Sequence, residues 1–142
     1  MRTRISFVVM SLALLAAVPG CESTRPFISD VNLARQVWVR SRPTAYRFEV
    51  ASASSWFPKS GYTRVEVEDG VVVEATDPEG NPTENFTLTV DSLWGLLLAA
   101  RERGELNSAR FDRNGVPVKF DYGPWELDGG VGFWVRNFVR RR

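Results

Sequence analysis

The stretch Thr63-Arg64-Val65-Glu66-Val67-Glu68-Asp69-Gly70-Val71-Val72-Val73 decides the fold. Thr63, Val65 and Val67 alternate with Arg64, Glu66 and Glu68, the period-two pattern of a strand with one dry and one wet face. Asp69-Gly70 then supplies a tight turn, because Asp and Gly tolerate the positive φ that such a hairpin requires. Val71 to Val73 resumes the extended pattern. A hairpin with one apolar face implies an antiparallel sheet that packs on one side.

The same alternation recurs on both flanks. Upstream, Tyr46, Phe48 and Val50 face one side while Arg47 and Glu49 face the other. Residues 52–61 and the Asp/Pro/Gly-rich run 77–82 are loops by composition. Downstream, Ala109 and Phe111 lead across Asn114-Gly115 to Val116, Val118, Phe120 and Tyr122, a second hairpin. Pro117 has no N–H, so it needs an edge or a non-bonded position. In the last segment, 131–139, Phe133 and Val135 suit a strand, whereas Trp134, Val135, Phe138 and Val139 suit a helical turn. A strand is the preferred reading.

Two segments read as helices. Ser29 or Asp30 caps the first, which runs to about Arg40 with Val31, Ala34, Val37 and Trp38 on one face. Arg42-Pro43 ends it, because a residue before proline disfavours helical geometry. Thr89 or Asp91 starts the second, with an apolar stripe of Val90, Leu93, Leu96, Leu97 and Ala100. Arg101 and Arg103 meet the negative end of its dipole, and Gly104 closes it. The expected fold is α+β: an antiparallel sheet of hairpins, with the N-terminal helix and the mid-chain helix packed on one face.

The N-terminus carries a different signal. Arg2 and Arg4 precede an apolar run, Phe7 to Val18, that is too short to span the ~30 Å hydrocarbon core. This is the layout of a secretory signal. Val18-Pro19-Gly20-Cys21 resembles the lipobox, in which the cysteine is acylated and becomes the mature N-terminus. The expected organisation is a lipoprotein signal peptide at 1–20, a lipidated tether at 21–28 and one domain at 29–142. Cys21 is the lipid attachment point, and acyl chains on it hold the protein at a membrane without a spanning helix. A lone thiol in an oxidising compartment has no other obvious use. Glu22 in place of Asp favours the outer membrane, facing the periplasm, if the cell has two membranes.

Composition narrows the chemistry. Removing residues 1–20 takes two of the 18 basic residues and none of the 17 acidic ones, leaving a mature net charge of about −1. That argues against nucleic acid as a partner. The chain contains no histidine. Histidine acid–base catalysis, Ser-His-Asp systems and His-ligated metals are therefore excluded. With Cys21 acylated, thiol chemistry goes as well.

Several of these motifs, in this order, resemble a family of small bacterial secreted proteins and lipoproteins, domain-of-unknown-function family 6174. They are Trp38, Tyr46-Arg47-Phe48, the hairpin Arg64 to Val72, Thr89-Val90-Asp91-Ser92-Leu93-Trp94, Arg110-Phe111-Asp112-Arg113-Asn114-Gly115-Val116-Pro117, Asp121 and Asp128. Many relatives carry cysteines after the first strand, where this chain has none between Ala51 and Phe57. The resemblance implies fold and location and brings no mechanism with it.

Asp112, Asp121 and Asp128 are the nearest approach to a catalytic or Ca²⁺-binding set. Their neighbours, Asn114-Gly115 and Gly129-Gly130, favour turn and capping roles instead. Trp56 and Phe57 are either an exposed recognition patch or, preferably, a loop folded back on the core. The basic tail, Arg136 to Arg142, either touches anionic lipid or cell-wall polymer or, preferably, frays into solvent. No metal, cofactor or catalytic residue is expected. The expected role is a lipid-anchored, non-catalytic binding module of the cell envelope, with Trp56, Phe57, Asp121 and Asp128 as its possible binding surface. Its partners are the membrane through Cys21 and another envelope protein or cell-wall polymer. A structural part in an envelope complex and a carboxylate hydrolase are the alternatives.

Overall fold

The computed structural model describes residues 27–142, so the signal, Cys21 and most of the tether lie outside the described residues. The chain forms helix α1 (Val31–Ser41) and strands β1 (Ala45–Ser54), β2 (Thr63–Glu68) and β3 (Val71–Thr76). Helix α2 (Val90–Glu102) follows, then β4 (Leu106–Phe111), β5 (Pro117–Tyr122), a 3-10 turn (Trp125–Leu127) and β6 (Val131–Arg140). The strands make one sheet in the order β3-β2-β1-β6-β5-β4, antiparallel throughout. The α+β expectation with two helices is met.

Local signals set the element ends. Asp30 caps α1 by accepting from the Leu33 N–H at 2.7 Å. Thr89 caps α2 and forms a reciprocal capping box with Ser92, which satisfies two N–H groups that would otherwise lack partners. Asp69 and Gly70 take the positive φ that the hairpin needs, 48° and 80°.

The core lies between the helices and one sheet face. Trp38 of α1 meets Tyr46 and Phe138 edge-on, and Trp94 of α2 stacks on Phe111 at 5.0 Å. Each indole N–H has a partner: Trp38 donates to Asp91, and Trp94 to the Gly115 carbonyl. Burial of the Tyr46 phenol pushes its pKa up to about 12, although its oxygen also accepts from the Val90 N–H. The α2 stripe differs from expectation by one residue. Trp94 is buried and Leu96 points outward, because the helix rolls to bring the larger ring onto the sheet.

β6 takes the centre of the sheet, between β1 and β5. Its apolar residues, Phe133, Val135 and Phe138, do not keep period two. A bulge explains this: four residues, Arg136 to Val139, lie opposite three, Glu49 to Arg47, with Asn137 at φ 53°. The extra residue turns Phe138 onto the helix-covered face. Pro117 sits at the first position of β5, opposite Phe111 at a register shift, and pairing with β6 begins only at Lys119. Two loop expectations are corrected. Ser52 to Ser54 belong to β1, held by β6. The basic tail does not fray, since the Arg141 N–H donates to the Ala45 carbonyl at 2.9 Å and its guanidinium pairs with Glu66.

Candidate functional site

Side chains opposite the helix-covered face are mostly charged, and no helix covers them. Arg47 and Glu49 of β1, Arg64 of β2, Arg110 of β4, Lys119 of β5, and Trp134 and Arg136 of β6 all line one groove of about 900 Å³. The loop residues Asp112 and Arg113 add to its wall. The groove thus carries six cationic side chains against two carboxylates.

Both carboxylates are internally engaged. Glu49 accepts from Arg136 Nε at 2.7 Å and from Asn137 Nδ2 at 3.1 Å. Partial burial pushes its carboxyl up, but those hydrogen bonds and the Arg136 and Arg64 charges outweigh this and hold it below the ordinary range. Asp112 closes its own loop, accepting from the N–H groups of Asn114 at 2.8 Å and Val116 at 2.9 Å. This is the turn role that the sequence favours. Among the described residues Arg47, Arg64, Arg110, Arg113 and Lys119 make no ion pair.

Aromatic rings sit beside these cations. The Arg136 guanidinium lies 3.7 Å from the Tyr62 ring centroid, and Lys59 Nζ lies 4.9 Å from that of Trp134. Gly132 lacks the Cβ that would press on the Trp134 and Trp125 rings, so both can lie over the strand there.

A second surface lies at the end of the sheet where β1 finishes and β6 begins. Trp56 and Phe57 are 70% and 73% exposed, and Leu127, 79% exposed, sits in the facing loop with the less exposed Trp125. The expectation that the aromatic loop folds back on the core is overturned. Hydrogen bonds hold it outward instead. Trp56 Nε1 donates to the Asp128 carbonyl at 3.0 Å, Ser55 N–H to the Gly130 carbonyl at 2.9 Å, and Gly130 N–H to Ser55 Oγ at 2.8 Å. Asp128 adopts left-handed geometry, φ 60°, and contributes its backbone rather than its carboxylate.

The proposed carboxylate set is not assembled. Asp121 is bonded by the Ser108 hydroxyl within the sheet, while Asp128 stands in the turn. Among the described residues no three His, Cys, Asp or Glu side chains group as a metal site, and no helix is long and apolar enough to cross a membrane. Trp56 and Asp128 do come together; Asp121 joins neither. Of the groove residues Arg110, Lys119, Trp134 and Arg136, the sequence offers only Arg136, as part of the basic tail; Arg110, Lys119 and Trp134 are not expected there as a site. Their signal is the charge on the wet side of each strand, and only the register shows that these charges converge.

No curated protein and no solved structure matches the chain. A family model does match, over residues 30–140, and its description is a family of unknown function, DUF6174. The chain is a member of the DUF6174 family.

Proposed function

We propose that the protein is a lipid-anchored binding module of the cell envelope, held by acylated Cys21 and acting without catalysis. The observation that carries this reading is the aromatic end of the sheet. Trp56 and Phe57 are exposed, yet the Ser55–Gly130 and Trp56–Asp128 hydrogen bonds fix them in place. Rigid exposed aromatics lose little conformational entropy on binding and dominate interface energetics. The favoured partner is another envelope protein, with cell-wall polymer as the alternative. An assembly role is less well supported, because the uncovered sheet face is charged rather than flat and apolar. A hydrolase built on Asp121 and Asp128 has the least support, since one is tied to Ser108 and the other serves a turn.

The test is crosslinking and affinity capture of the natively made lipoprotein from its own envelope, beside the Trp56→Ala/Phe57→Ala variant. A reproducible partner that the variant loses is the expected result. Recovery of nothing, or equal recovery with the variant, overturns the reading.

A further inference from the structure

We propose that the cationic groove docks on the anionic headgroups of the bilayer in which the protein is anchored, with Arg110, Arg113 and Lys119 making the contact. The proposal rests on the anchor at Cys21, and three observations lead to it.

The first is an unfavourable pair. Arg110 and Lys119 stand directly opposite one another on adjacent strands, β4 and β5. Like charges so placed repel and weaken a sheet. Neither has a carboxylate within ion-pairing distance among the described residues. The Arg110 guanidinium rests instead on the Phe27 ring, 4.4 Å from its centroid. An external phosphate between these two side chains relieves the repulsion and takes charge-assisted hydrogen bonds from both.

The second is the sign of the surroundings. Arg113 and Arg47 line the same groove, and its two carboxylates are already bonded, Glu49 to Arg136 and Asp112 within its own loop. Among the described residues nothing in the groove neutralises the excess charge.

The third is where the chain joins the domain. Ile28 pairs with Phe111 at the end of β4, and Phe27 lines the groove. Phe27 follows Cys21 by six residues, a span of at most about 20 Å when fully extended. An acylated Cys21 therefore keeps this groove within one short tether of the headgroups. The end of β6 lies at the same end of the sheet, where Arg140 donates to Asn114. A soluble polyanion has no comparable reason to meet the groove at this point of the fold.

The chain has only two lysines, Lys59 and Lys119, which makes amine labelling a direct reporter. The natively acylated protein is reconstituted into vesicles of phosphatidylcholine alone, or with one part in three of phosphatidylglycerol. Acetylation of Lys119 is then followed by peptide mass spectrometry. The expected result is labelling about fivefold slower on the anionic vesicles, as about 1 kcal/mol per docked cation implies. High salt, or Arg110→Gln with Arg113→Gln, abolishes the difference. Equal rates on the two vesicles overturn the proposal. So does protection by inorganic phosphate or an acidic polysaccharide but not by the anionic vesicles. Intact mass of the same sample reads the anchor separately. If Cys21 is unmodified the anchor reading falls, and labelling with vesicles added from outside still decides whether the groove docks.

Discussion

The two ends of this sheet are built on opposite principles. Where the chain joins the domain, the end is cationic and tied into the core. Trp94 bonds the Gly115 carbonyl, Asp112 closes the loop, and a Cβ on Gly115 would run into the backbone of α1. The far end, a ten-residue strand or about 30 Å away, is aromatic and touches the core little. Trp56, Phe57 and Leu127 face outward on loops held by a few hydrogen bonds to one another. The first end reads as a foot and the second as a presenting surface. Apolar burial makes the fold, and it leaves exposed surface of two different characters, the one we propose to dock on the bilayer and the other to bind a partner.

The largest expected effect separates the ends by their share in stability. Gly115 has φ 75° with α1 backbone against it, so Gly115→Ala loses more than about 3 kcal/mol in urea unfolding. A near-neutral result would mean that the basic end is not integrated as described.

The second concerns Tyr46, whose pKa is raised to about 12 by burial. The folded state holds this proton more tightly than the unfolded chain does. Its contribution is fully present below the ordinary value of 10 and is lost as pH rises through 12, up to about 3 kcal/mol in all. Tyr46→Phe flattens stability between pH 10 and 12, measured by denaturant titration at each pH. An unchanged alkaline slope would show that the phenol is not sealed in.

The third lies on the open face. Glu49 is held below its ordinary value of 4.5, so its contribution is present above that pH and lost as the solution is acidified through the depressed value. Its partner Arg136 is half exposed, which limits the effect to under about 1 kcal/mol. Glu49→Gln reduces the acid-side slope by that amount in the same titration. The smallest stability effect belongs to the aromatic end. Trp56→Ala with Phe57→Ala costs under about 1 kcal/mol, because exposed side chains contribute little to folding. A larger loss would make that end structural and break the contrast.

Much of this was legible because it is local. Asp30, Asp69-Gly70 and Thr89 each set a cap or turn through a handful of neighbouring bonds; the turn sits where the sequence puts it, and each cap is one of the two residues that the sequence offers. What escaped depends on partners far along the chain. Ser52 to Ser54 carry no strong alternation, and only the pairing with β6 makes them strand. Leu96 and Trp94 exchange roles because the sheet, not the helix, sets the roll of α2. The tail is ordered through Ala45 and Glu66, the latter 75 residues before Arg141 and the former farther still. Trp56 and Phe57 were identified as a possible surface, but their outward set depends on Asp128 and Gly130. The groove was invisible for the same reason: Arg110 and Lys119 become a pair only once the register of β4 on β5 is known.

Position relative to the bilayer is the most direct test. Cys21 is the only cysteine, so a cysteine introduced at position 57 or at 142 in the acylated protein is a unique site for a fluorophore. Quencher-bearing lipids in anionic vesicles then report distance. Strong quenching at 142 with almost none at 57 is the predicted result. Quenching at 57 equal to or greater than at 142 would contradict the account, placing the aromatic end at the membrane and the basic end away from it.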